Sequence, residues 1–221
     1  NGDKYVGSFK NDNWHGRGTY TRVDERKYEW FFMIGFHAFE DKAFTDALME
    51  LRPLSERGDP DAQTLLGQMH YYGHGVTQDL EEAARWYRLA AVQGFPSAQY
   101  HLALSHAFGK GVPKDEPEAV QWLKQSAKQG HSDSQFFLGL MYANAKGMPR
   151  DLEESMKWYR RAAEQWHPMA LYYIGLRYQE GKGVAKDRTE AVRWYRKAAD
   201  EGNAKAQYML AQAYTKGVGV S

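Results

Sequence analysis

A fixed period of 36 residues constrains this chain more than any other feature. Ala62 is followed at that interval by Ala98, Ser134, Ala170 and Ala206, and Gly75 by Gly111, Gly147, Gly183 and Gly219. Asp79 returns as Asp115, Asp151 and Asp187, and Trp86 as Trp122, Trp158 and Trp194. No insertion interrupts these columns. Such a chain stacks copies of one small unit, each packed on its neighbours, so the usual count of residues per domain does not apply.

Within the unit 61–94 the spacing predicts two helices. Ala62, Leu65, Leu66 and Met69 share one helical face. Gly73 and Gly75 stop that helix, because glycine accepts the positive φ of a helix end. Asp79 is placed to cap a second helix, its carboxylate facing exposed amides at the positive end. Ala83, Trp86, Ala90 and Ala91 form the buried stripe of that helix, and Gly94 ends it. Glu81 with Arg85, and Glu153 with Lys157, stand in the favourable i,i+4 order, so the charges read as a solvated outer face. Two departures stand out: Ala145 replaces a loop glycine and Trp166 the terminal glycine, which predicts an altered angle between the third and fourth units.

The motif A-Q-x-x-L-G-x-x-Y-x-x-G-x-G-V-x-x-D-x-x-x-A-x-x-W-x-x-x-A-A-x-x-G resembles the Sel-one-like repeat (SLR), a relative of the tetratricopeptide repeat, over residues 34–221. The copy from Ala170 through Gly175, Gly183, Asp187 and Trp194 to Gly202 follows it with one substitution, Leu171, in the opening pair. The resemblance implies an all-α fold, a right-handed α-α superhelical solenoid of about five 36-residue helix-pair repeats with units starting near 61, 97, 133, 169 and 205. The last unit lacks its second helix, which leaves an apolar face on 204–215 open to a partner or to self-association. Residues 33–60 read as an atypical first helix pair, with Pro53 expected to distort the later helix.

Residues 1–32 have a different period. Tyr5, Gly7 and Phe9 alternate as on a strand, and the Y-x-G…G-x-G-T-Y pattern of Tyr5, Gly7, Gly16, Gly18 and Tyr20 resembles a MORN repeat, whose unit is a β-hairpin. This predicts a small N-terminal β-hairpin capping the solenoid. The MORN resemblance also implies an alternative role, an envelope- or membrane-associated adaptor acting through that hairpin.

Chemistry finds little support in the pattern. The chain has no cysteine, so thiol nucleophiles, disulfides and thiolate zinc sites are excluded. Its 29 basic and 28 acidic residues lack the excess of a nucleic-acid binder. Gly109-Lys110-Gly111 and Gly181-Lys182-Gly183 lack the P-loop spacing and recur as structural loops. His70 and His106 stand where other units have Tyr142, Tyr178 and Tyr214, and read as aromatic filler rather than metal ligands. No cofactor or metal is expected. Some cysteine-rich SLR proteins bind or slowly hydrolyse β-lactams, but the cysteines of that type are missing here.

What varies along the period is surface. By analogy with the tetratricopeptide repeat, the first helices face the concave side. Their columns there contain Tyr71, Tyr72, Tyr100, Leu104, Phe108, Phe136, Leu140, Tyr172, Leu176 and Tyr208, an aromatic–aliphatic ladder read as partner-binding. The expectation is a non-catalytic protein–protein interaction module: an adaptor, a scaffold, or an immunity protein that neutralises a secreted bacterial effector enzyme. The resemblance favours a periplasmic over a cytoplasmic location.

Overall fold

The computed structural model describes residues 4–10, 13–21, 27–32 and 41–219. The chain begins with a three-stranded antiparallel sheet, β1 (Lys4–Lys10), β2 (Asn13–Thr21) and β3 (Lys27–Phe32), in the order β1-β2-β3. Tyr5 lies opposite Tyr20, and Tyr20 opposite Tyr28. A third strand thus extends the expected hairpin. The side chains on which the MORN resemblance rests lie outside the described residues.

Ten helices follow among the described residues. The first, α1 (Asp41–Glu56), runs through Pro53 to Glu56. The other half of the expected first pair falls on 33–40, outside the described residues. Then come α2 (Pro60–Tyr72) with α3 (Leu80–Val92), α4 (Pro96–Phe108) with α5 (Glu116–Lys128), α6 (Ser132–Asn144) with α7 (Leu152–Glu164), α8 (Pro168–Glu180) with α9 (Arg188–Asp200), and α10 (Ala204–Lys216). Consecutive helices pack in pairs, and each pair packs on the next, as a solenoid requires.

The caps explain why every unit breaks at the same places. Asp79, Asp115, Asp151 and Asp187 accept from the backbone N–H groups of Glu82, Glu118, Glu154 and Glu190 at 2.9–3.0 Å. The first helices end on left-handed residues, Gly73, Gly109 and Gly181, with Ala145 taking the same conformation at φ 55°. Trp166 likewise holds φ 59° where the other units have glycine. An L side chain in that region costs on the order of 1–2 kcal/mol.

Close approach makes the second loop glycine of each unit obligatory. A Cβ on Gly111 would lie 1.8 Å from the Leu80 carbonyl oxygen, and one on Gly147 2.3 Å from that of Glu116. Each loop therefore rests directly on the first turn of the preceding unit's second helix. Gly75 makes the corresponding approach to Phe44 of α1, so α1 occupies the place of a preceding unit.

A row of glutamines joins the units. Gln63, Gln99 and Gln135 donate to the carbonyls of Ser55, Ala91 and Ala127, near the end of the helix before. Gln93, Gln129 and Gln165 in turn donate to those glutamines at 2.8–3.0 Å. Carbonyls that a helix end leaves unpaired are thus satisfied by the following unit. Leu171, the substitution in the motif's opening pair, breaks this row between α7 and α8.

The core consists of alanines and rings. Tyr87, Tyr159 and Tyr195 are fully buried, each with its ring edge against a helical glycine: Gly67, Gly139 or Gly175. The second unit has Ala103 facing Leu123 in the same columns, both buried. Glycine accompanies tyrosine and alanine accompanies leucine, so volume is conserved across the contact.

Candidate protein-binding face

The first helices α4, α6 and α8 bring Tyr100, Phe136 and Tyr172 of the sequence-predicted ladder into one continuous chain of ring contacts. His101 stacks on Tyr87 at 4.9 Å and touches Tyr100 at 5.4 Å. Tyr100 meets Phe137 at 5.8 Å, Phe137 meets Phe136 at 6.0 Å, and Phe136 meets Tyr173 at 5.4 Å. Tyr173 touches Tyr172, which reaches Tyr195 at 5.9 Å. These centroid separations and tilts suit aromatic pairs. The chain crosses from unit to unit, so these three ladder positions form part of a packing spine.

Exposure sorts the predicted residues. Phe136 is 6% exposed, packed among Phe137, Tyr159, His167 and Tyr173, and it belongs to the core. Tyr71, Tyr100, Leu104, Leu140, Tyr172 and Leu176 are half-buried. Tyr72, Phe108 and Tyr208 stand in solvent at 54, 60 and 64% exposure. Tyr72 lies edge-on to Tyr71 at 4.9 Å and stacks on His74, which is itself stacked on Phe44. Partial burial, together with Tyr71, raises the Tyr72 phenol above its ordinary pKa. In the column of Tyr72 and Phe108, later units carry Asn144, Glu180 and Lys216, so this column is aromatic in the first two units alone.

A polar island sits beside the rings. Gln68 donates its amide to His101 Nε2 at 2.9 Å, which requires that nitrogen unprotonated. Burial, aided by the neighbouring His131, lowers the His101 pKa to about 4. His167 caps α8: its Nδ1 accepts from the Ala170 N–H at 3.1 Å, leaving Nε2 to donate to Asp133 Oδ1 at 3.1 Å. Asp133 comes from the preceding unit, and its side chain is 40% exposed. Partial burial raises its carboxyl, but the hydrogen bond and charge of His167, with His131 and His101, bring the net pKa below the ordinary carboxylate value. Among the described residues no three His, Asp or Glu side chains converge as a metal site.

The structure corrects the reading of the second helices. Arg85 pairs with Glu82 at 2.6 Å and Lys157 with Glu154 at 3.3 Å, each three residues back instead of four. Glu82 and Glu154 are the half-buried members of the two glutamate pairs, turned toward the basic side chain. Nor are the outer charges all simply solvated. Arg88 donates to His106 Nε2 at 3.1 Å, Lys124 lies over the Tyr142 ring, Arg160 reaches the Tyr178 hydroxyl at 3.3 Å, and Arg196 reaches that of Tyr214. Each is 18 residues from its partner, on the following unit. The pairing of a basic column with an aromatic column half a period later was the sequence signal for this contact.

A family model of the Sel1 repeat matches residues 60–95, 96–131, 132–165, 168–203 and 204–221. The chain belongs to the Sel1 repeat family. A Sel1 repeat protein from Oxalobacter formigenes is 37% identical, with a TM-score of 0.76, over 81% of this chain and 72% of that one. A protective antigen of uropathogenic Escherichia coli strains, displaying an SLR fold, is 32% identical with a TM-score of 0.75; the match covers 82% of this chain and 43% of that one. An immunity protein of Pseudomonas aeruginosa shares the fold at 19% identity and a TM-score of 0.55, over 77% of this chain and 62% of that one. No curated protein matches the chain. The Sel1 repeat solenoid is a fold that mediates protein–protein interaction. Among the described residues no helix is long and apolar enough to cross a membrane.

Proposed function

We propose that this Sel1 repeat chain is a non-catalytic binding module that holds a partner protein against the face of its first helices. One observation supports this above the others. Tyr72 and Phe108 are exposed at 54 and 60% on consecutive first helices, and the leucine column of Leu104, Leu140 and Leu176 on α4, α6 and α8 is half-buried. Exposed aromatics flanked by aliphatic side chains are the anchors that protein interfaces favour, and a solenoid's curvature gathers such columns into one extended surface. Adaptor, scaffold and immunity protein are all roles such a face can fill. The immunity protein of Pseudomonas aeruginosa is a precedent for the last of these on the same fold.

The test is affinity capture by the full chain, compared with the Tyr72→Ser/Phe108→Ser variant. Both rings are exposed, so the melting temperature should stay within about 2 °C of the parent. Partners lost by the variant support the reading, and an unchanged partner list overturns it. A panel of hydrolase substrates, β-lactams included, should be turned over no faster than in buffer.

A further inference from the structure

Lysine and arginine are segregated between the two helices of each of the first three units. The sequences of α2, α4 and α6 contain neither lysine nor arginine, and their acidic residues are Asp61 and Asp133. Their partner helices hold the cations instead: Arg85 and Arg88 on α3, Lys124 and Lys128 on α5, and Lys157, Arg160 and Arg161 on α7. Several of these are committed already to rings or carboxylates of their own unit or the next. The first-helix face of the first three units therefore carries an aromatic surface and a negative charge with no lysine or arginine in its helices.

Asp133 is central to that face. One carboxylate oxygen receives His167, and the side chain is still 40% exposed beside the ring pair Tyr100–Phe137. A carboxylate next to half-buried rings offers an incoming cation two attractions, ion pairing and contact with the faces of π systems. Further along, the pattern reverses. Arg177 and Lys205 appear on α8 and α10, and a cleft of about 340 Å³ between α9 and α10 is lined by Lys186, Arg188 and Lys216 with Val192, Met209 and Ala213.

We infer that the partner segment received on α2, α4 and α6 is basic as well as apolar. A lysine or arginine side chain of it sits at Asp133, and its apolar side chains sit against Tyr72, Phe108 and the leucine column. The inference rests on the proposed binding role of this face and names the chemistry of what binds. Lys110, in the loop after α4, is a positive charge beside Phe108 that such a segment must pass.

The experiment pans a random peptide display library on the full-length chain, then measures the selected peptides by fluorescence anisotropy. Peptides selected in a manner that depends on Tyr72 and Phe108 are expected to carry net positive charge. Asp133→Asn, which keeps an acceptor for His167, should weaken them about three- to tenfold at low salt, and raised salt should shrink that difference. Lys110→Glu should tighten them, and melting curves check that each variant is folded. Neutral or acidic selected peptides that still depend on Tyr72 and Phe108 would overturn the charge inference and leave the binding face standing. Selection indifferent to those two rings, or no enrichment, would overturn both.

Discussion

The contact between Gly139 and Tyr159 offers a sharp test of how the unit is packed. A Cβ at Gly139 would stand 2.6 Å from Tyr159 Cε1 and 2.7 Å from Cδ1, well inside van der Waals contact. The ring has little room to retreat, being 0% exposed and set between Phe136 and Tyr173. Gly139→Ala gains about 1 kcal/mol in helix propensity, but overpacking a tight core site costs about 1–3 kcal/mol. The net expectation is a loss of up to about 2 kcal/mol. Tyr159→Leu alone leaves a void and should cost about 2–3 kcal/mol. The double variant restores the Ala103–Leu123 pairing of the second unit, and should be less damaging than the sum of the two by about 1–3 kcal/mol. Equilibrium urea unfolding of all four proteins, followed by circular dichroism, measures the cycle. Additivity within about 0.5 kcal/mol, or a Gly139→Ala protein clearly more stable than the parent, would refute the reasoning.

Other expectations follow from single positions. Ala145→Gly and Trp166→Gly relieve left-handed strain at φ 55° and 59°, and each should raise the urea midpoint by the equivalent of about 1 kcal/mol. Gly111→Ala, by contrast, drives a Cβ to 1.8 Å from the Leu80 carbonyl, and should cost about 3 kcal/mol or more, seen as a lowered midpoint. His101 has its pKa depressed from 6.5 to about 4. The unfolded chain therefore takes up the proton first, so stability is intact above about pH 6.5 and lost as pH falls toward 4. The loss from this residue is on the order of 3 kcal/mol, and His101→Phe, which copies Phe137 one unit on, should flatten that part of the pH–stability curve.

The period, the glycine stops and the aspartate caps were legible because they are backbone requirements, repeated wherever the backbone repeats. Ala145 and Trp166 were visible as anomalies for the same reason: the column demanded glycine and they took its conformation regardless. What could not be read was the direction of side chains between units. Phe136 and Tyr172 share a column, yet one is core and the other half-buried, because His167 and Tyr173 of the next unit close over Phe136. Arg88, Lys124, Arg160 and Arg196 look solvated along one helix and acquire partners only once the next unit is docked. The Asp133–His167 bond likewise depends on the approach of two units, about which a single unit's sequence is silent.

The break in the glutamine row has a mechanical consequence. Between α7 and α8 the chain lacks the amide that elsewhere ties one unit to the next, and it turns there on the left-handed Trp166. The Asp133–His167 bond, buried Leu171, the Phe136–Tyr173 ring contact and Arg160 on Tyr178 hold that joint instead. Opening should therefore start at this seam, and hydrogen exchange should resolve two cooperative blocks, α1–α7 and α8–α10. A guest lying along α2, α4 and α6 would rest on one block and leave the joint free. One that also reached α8 would act as a clasp across it, and only then would binding stiffen the whole array.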